Sequence, residues 1–180
     1  MKVSLFAAAG AVLAAAALTA APASAQTPSA PAFYGNLGYS AVDTDDVTLG
    51  ALHARAGARL HANFGVEAEA ALGVKDDSFR LGATQVTAEL KHELAAYGVG
   101  FLPVNEKFDL LARVGYGTSK VRVKAAGVSA SDSDESWNYG VGAQYAFDGA
   151  NGVRVDYTRH DFGKGGDDAD VWSIGYVRKF

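Results

Sequence analysis

In Phe64-Gly65-Val66-Glu67-Ala68-Glu69-Ala70-Ala71-Leu72-Gly73-Val74, apolar residues fall at every even position through Val74, with Gly65, Glu67, Glu69, Ala71 and Gly73 between them. Successive side chains of a strand point to opposite faces, so this stretch has one apolar face and one face of small or charged groups. The same period recurs in both directions along the chain. Upstream, Phe33, Leu37, Tyr39 and Ala41 oppose Tyr34, Asn36, Gly38 and Ser40, and Leu52, Ala54, Ala56, Ala58 and Leu60 oppose His53, Arg55, Gly57 and Arg59. Downstream, Phe108, Leu110, Ala112, Val114 and Tyr116 oppose Asp109, Leu111, Arg113, Gly115 and Gly117. Trp137, Tyr139, Val141, Ala143, Tyr145 and Phe147 then oppose Asn138, Gly140, Gly142, Gln144 and Ala146. Val153, Val155 and Tyr157 oppose Arg154, Asp156 and Thr158, and Trp172, Ile174, Tyr176 and Phe180 oppose Ser173, Gly175 and Lys179. Between Val86 and Leu102 the apolar phase moves from even (Leu90, Leu94) to odd (Tyr97, Val99, Phe101), which predicts a β-bulge at 94–96. The count is eight strands.

The connections alternate too. Residues 61–63, 103–107 and 148–151 carry tight-turn signals, whereas 42–47, 75–85, 124–135 and 163–170 are long and polar, so short and long links fall at opposite ends of an up-and-down meander. Before the first strand, Met1-Lys2-Val3, an apolar run over 5–19 and Ala23-Ser24-Ala25 predict a cleavable export signal over 1–25. Residues 26–31 follow as a linker, and 32–180 are the folded domain, with no further domain expected after the last strand. No other apolar run approaches the ~18 residues of a membrane helix. The chain has no cysteine, which excludes disulfides, thiol nucleophiles and thiolate metal sites. Its net charge of −4 argues against nucleic acid as a partner.

The same alternation suits a soluble barrel with an apolar interior or a membrane barrel with an apolar exterior. The minor face decides for the second: it is mostly Gly, Ala, Ser and Asn, punctuated by Arg55, Arg59, Glu67, Glu69, Arg113, Arg154 and Asp156. That set fills a narrow lumen as mutually paired ions and is too small to make a solvated coat. Aromatics gather toward strand ends, as girdles at two lipid interfaces do. The predicted fold is therefore all-β, an eight-stranded antiparallel up-and-down transmembrane β-barrel with a lumenal ion network of those seven residues.

The leader, the opening Phe33-Tyr34-Gly35-Asn36-Leu37-Gly38-Tyr39, Arg113-Val114-Gly115-Tyr116-Gly117, Trp137-Asn138-Tyr139-Gly140-Val141-Gly142 and the closing Ile174-Gly175-Tyr176-Val177-Arg178-Lys179-Phe180 resemble the bacterial outer-membrane β-barrel family of the OmpX, OmpA-barrel and opacity-protein type. The resemblance spans residues 32–180. It implies the outer membrane as location, the lipid bilayer and lipopolysaccharide as surroundings, and an assembly signal read by the barrel-assembly machinery. Trp172, Ile174, Tyr176 and Phe180 match that signal, and Arg178 departs from it.

Chemistry is sparse. His53, His61, His92 and His160 lie on different segments without metal-ligand spacing. His160 is followed by Asp161-Phe162, unlike the His-x-Ser-Asn of outer-membrane deacylases, and Ser173 falls on the lumenal face. No enzyme, no cofactor, no metal and no nucleic acid are expected, and a monomer is the working expectation. Eight strands leave an interior that side chains fill, so a general porin is not expected. Eleven of the 20 acids sit in the long links: Asp43, Asp45, Asp46, Asp76, Asp77, Asp132, Asp134, Glu135, Asp167, Asp168 and Asp170. They read as solvated surface loops serving envelope integrity or surface interaction, with an unidentified ligand, or as weak oxygen ligands bridging a divalent cation to lipopolysaccharide. The alternatives are a narrow, small-conductance channel and a soluble periplasmic lipocalin-like carrier.

Overall fold

The computed structural model describes residues 31–44, 48–81, 84–125, 128–163 and 168–180, and the expected leader, with all of the linker but Pro31, lies outside them. Nine strands follow in chain order: β1 (Ala32–Asp43), β2 (Thr48–His61), β3 (Phe64–Lys75), β4 (Asp77–Leu81), β5 (Thr84–Pro103), β6 (Phe108–Ala125), β7 (Val128–Ala146), β8 (Asn151–Asp161) and β9 (Ala169–Lys179). Except for β3 and β4, consecutive strands pair antiparallel; β1 also pairs with β9, and β3 pairs directly with β5. That last pairing closes eight staves into a barrel. β4 is a short ninth strand that hydrogen-bonds only to the first residues of β5.

The period-two pattern sorts the side chains by side of the wall. Leu37, Leu52, Leu72, Val114, Trp137 and Ile174 are exposed on the outside, while Asn36, Arg55, Glu67, Arg113, Asn138, Arg154 and Asp156 are buried inside. An exterior this apolar suits a solvent of lipid, since closure leaves no unpaired sheet edge in the wall. Both ends of β1 and β9 meet in register, from Tyr34 opposite Lys179 to Asp43 opposite Asp170.

Three expectations change. First, the irregularity of β5 falls between Leu90 and His92, three residues before the predicted 94–96. Second, β5 inverts the rule of its neighbours: Val86, Ala88 and Leu90, and after the bulge Tyr97, Val99 and Phe101, all point inward. The cause is volume. Glycines on facing strands leave room that β5 fills: a Cβ at Gly115 would lie 2.4 Å from the Tyr97 ring, and one at Gly65 3.0 Å from that of Phe101. Third, two of the four expected long loops are largely strand. Ladder pairing of β6 with β7 runs to Ala125 opposite Val128, and residues 77–81 form β4. The ladder needs only backbone groups and alternation, and Val121 and Val123 between Lys120, Arg122 and Lys124 keep both although the outer face is polar.

Candidate functional site

The lumen is layered along the barrel axis. At the end carrying the tight turns, Tyr34, Tyr97, Val99, Phe101, Leu111 and Val177 form an apolar plug. Arg59 lies over the Phe101 ring at 4.4 Å, bonds Asp109 at 3.2 Å and donates Nε–H to the Ala62 carbonyl at 3.0 Å, tying the β2–β3 turn to β6.

The middle layer is a continuous chain of ions across four strands. Glu67 pairs with Arg154, whose Nε reaches Asp156 at 2.7 Å. Asp156 accepts from Arg55 at 2.6 Å, Arg55 reaches Glu69 at 2.6 Å, and Glu69 accepts from Arg113 at 2.6 Å. Three arginines and three carboxylates balance, with Tyr34 donating its hydroxyl to Glu67 at 2.7 Å and Arg113 stacked on the Tyr97 ring at 3.5 Å. Charges this deeply buried are tolerated only when paired and hydrogen-bonded, and here each has an opposite charge within reach. Of the seven residues singled out from sequence, six make up this chain. Arg59 stands apart with Asp109.

Above the ions sits a layer of polar groups. His53 donates Nε2–H to Asn36 at 2.8 Å and accepts at Nδ1 from Ser40, 2.8 Å away, and Ser40 lies 3.0 Å from Ser173. Asn138 donates to the Tyr97 hydroxyl at 2.9 Å and accepts from Ser136 at 2.7 Å. Glu93, 5% exposed, faces His160 Nδ1 at 3.7 Å, and its Oε1 has no hydrogen-bond partner among the described residues. A second apolar plug closes the layer at the loop end: Leu49, Ala51, Ala71, Ala88 and Leu90, with Val42 and Val121 against them. The sequence alone puts Tyr97 in the odd apolar phase without assigning it to the lumen and does not single out Glu93, because the bulge at Lys91 hides their side of the wall. The signal was Arg113, whose register partner Val99 fixes which face of β5 is inside.

The remaining sequence candidates are dispersed. Trp172, Ile174, Tyr176 and Phe180 all project outward, Phe180 being 80% exposed, and Arg178 lies on the same side. Asp43 accepts from Thr48 at 2.7 Å, Asp168 and Asp170 pair with Arg159 at 2.5 and 2.9 Å, and Asp76 is exposed. Asp132, Asp134 and Glu135 stand on strand β7, and Asp77 on β4. Asp45, Asp46 and Asp167 lie outside the described residues. Among the described residues no three His, Asp or Glu side chains converge as a metal site.

A closed eight-stave meander with a lipid-compatible exterior and an ion-filled lumen defines a class, the small outer-membrane barrels. The family model for the outer membrane protein beta-barrel domain matches residues 10–180, and the chain belongs to that family. It is a protein of the bacterial outer membrane. No curated protein sequence matches it. Among solved structures it is similar to Ail, the attachment invasion locus protein of Yersinia pestis, crystallised with the heparin analogue sucrose octasulfate (19% identity, 84% of this chain and 99% of that one, TM-score 0.59). It is also similar to Neisserial surface protein A (11% identity, 83% and 97%, TM-score 0.63) and to OprG of Pseudomonas aeruginosa (13%, 84% and 96%, TM-score 0.61). At these identities the likeness is one of fold. The family's outer-membrane location replaces the soluble periplasmic carrier, and paired ions occupy the lumen that would hold such a carrier's ligand.

Proposed function

We propose that this protein is a closed, non-catalytic barrel that anchors its loop end at the cell surface, for surface contact or envelope integrity. The observation that carries the reading is the sealed lumen, with a cross-strand ion chain held between two apolar plugs. A solute path would have to break buried Arg–carboxylate pairs and displace Tyr97 and Leu90 at once. A filled interior of this kind is what eight strands enclose. Residues 1–25 serve as a cleavable leader, and Trp172, Ile174, Tyr176 and Phe180 serve as the recognition face for barrel assembly. The loop end faces outward and the turn end inward, as in barrels with short periplasmic turns. Ail, named for attachment and invasion, has the same fold, which favours surface contact.

Two measurements test the reading together. Protein reconstituted in planar bilayers is expected to give no discrete current steps, and protease added to intact cells is expected to cut within the loop-end strands while leaving the turn end whole. Regular conductance steps that shift on Arg113→Gln would replace the anchor with a narrow channel.

A further inference from the structure

The inward turn of β5 has an effect on the outside of the wall. Where the neighbouring strands show Phe64, Val66, Val114 and Tyr116 to lipid, β5 shows Ala96, Gly98 and Gly100, so the exterior is recessed along β5. Toward the loop end the recess deepens into a hollow of about 380 Å³, lined on its outer side by Ala68, Leu94, Ala96, Tyr116, Thr118 and Glu135.

The mouth of that hollow is cationic. Thr118 and Leu94 are register partners, and the next outward-facing rung pairs Lys120 with His92, ~7 Å further along the strands. Beyond it come Arg122 opposite Glu89, and then Lys124. Lys91 and Lys124 share Glu89, Lys124 at 3.1 Å. Lys120 and Arg122 meet no carboxylate among the described residues, and Arg122 makes a hydrogen bond to Ser131 at 3.3 Å. On β7 the acids Asp132 and Asp134 alternate with Ser131 and Ser133, and these serines lie opposite Arg122 and Lys120 on the outward face. These two acids therefore fall on the other face of the ribbon, while Glu135, opposite Thr118, shares the outward face and accepts from the Tyr116 hydroxyl at 2.7 Å. Tyr116 and Trp137 pack edge to face at 5.3 Å just below, an aromatic pair of the sort that marks a lipid interface. The opposite wall carries Asp43, Asp161, Asp168 and Asp170 at its loop end, the last two paired with Arg159.

We propose that the outer face of β5–β6–β7 is a docking site for one phosphorylated lipid of the outer leaflet, the anchor of lipopolysaccharide. Its phosphate meets Lys120 and Arg122, and one acyl chain lies in the hollow against Ala68, Leu94 and Ala96. The assignment follows from position and charge. A cationic face directly above an aromatic pair stands where lipid phosphates lie, and each Lys or Arg near such an anionic surface adds to the attraction. The recess below is lined mostly by apolar groups, with Glu69, Thr118 and Glu135 also reaching it, so a soluble anion would leave its apolar part empty. The site uses direct cation–phosphate contact and needs no bridging divalent ion. It rests on the outward orientation of the loop end proposed above.

The test is native mass spectrometry of the folded barrel released from detergent, titrated with diphosphorylated hexa-acyl glucosamine disaccharide and with its phosphate-free form. Wild type is expected to retain one phosphorylated molecule and not the phosphate-free one. Lys120→Gln with Arg122→Gln is expected to weaken binding about tenfold or more. Ala96→Phe, which fills the hollow and leaves the cations in place, is expected to weaken it about fivefold. Lys179→Gln at the turn end serves as the control and should bind as wild type, and heat-dependent gel mobility checks that each variant is folded. Equal retention of both lipids, or wild-type binding by the charge variant, overturns the site. Displacement of the lipid by inorganic phosphate alone, with Ala96→Phe unaffected, also overturns it in favour of a soluble-anion site. Because the titration is done in detergent, it reads the site independently of membrane orientation, which the protease experiment reads separately.

Discussion

Strands β8, β9 and β1 run 11, 11 and 12 residues, whereas β5, β6 and β7 run 20, 18 and 19. Spanning the apolar layer takes about 9–11 tilted residues, so the first wall ends where the bilayer does and the second continues for ~25 Å beyond it. Both are held by one ladder of backbone hydrogen bonds, yet their side chains answer to different solvents. In the middle of the short wall apolar side chains such as Leu37, Val155 and Ile174 face lipid, and Asn36, Arg154, Asp156 and Ser173 face the lumen. In the upper part of the long wall water lies on the outside, and Lys120, Arg122 and Lys124 occupy positions that Val155 and Ile174 hold in the short wall. Register and pleat thus set which side a residue faces, while height along the axis sets what that side must be made of.

The contrast is broken most severely from inside the lumen. Arg154→Met removes the cation shared by Glu67 and Asp156 and leaves two buried carboxylates without it, at an expected cost of about 3–5 kcal/mol. Arg122→Met in the ribbon should stay within about 0.5 kcal/mol. Reversible urea unfolding in detergent or vesicles reads both, and equal costs would mean that the ion chain contributes little. Next in size is a pair of outward-facing positions on one strand, Val141 and Ser131. Val141→Arg puts a charge against lipid and is expected to cost about 2–4 kcal/mol, whereas Ser131→Arg, beyond the apolar layer, should be close to neutral. If Ser131→Arg proved as costly, the upper ribbon would have to be embedded too.

The smallest expected effect lies in a turn. Asp148 accepts from the Asn151 side chain and from the Ala150 and Asn151 backbone N–H groups, at 2.7–3.0 Å, and these bonds hold its carboxyl below the ordinary 3.8. A group depressed on folding stabilises above its unfolded pKa and loses that contribution as pH falls through the folded value. The melting difference between wild type and Asp148→Ala is therefore expected to be present at neutral pH and to vanish in acid below the ordinary carboxylate range. A difference independent of pH would assign the role of Asp148 to backbone shape alone.

Much of this was legible because the strand period is two, and a single clean stretch such as 64–74 fixes both face and phase for its neighbours. The closed sheet, its antiparallel order and its outer-membrane setting follow from that pattern. β5 was not legible in the same way, since its large side chains serve the lumen's volume, set by glycines such as Gly65 and Gly115 on other strands, and no reading of β5 alone contains those. The ribbon was missed for a related reason: polarity was taken to mean loop, although Ser129, Ser131 and Ser133 alternate as regularly as any apolar strand. The acids of that segment were visible, but their sidedness appears only once the ladder is known to run through them.

The pairing of β1 with β9 has a consequence for how the protein is made. A chain that emerges N-terminus first exposes the free edge of β1 until β9 has been delivered, because the partner of Tyr34 is Lys179. No earlier fragment can close, so export must precede folding and the travelling chain must be kept apart from its own copies. Its open edges would otherwise pair with the nearest strand available. Loss of the final strand would leave a sheet with two bare edges and an uncovered Arg55–Asp156 pair, a species for quality-control proteolysis, not a smaller barrel.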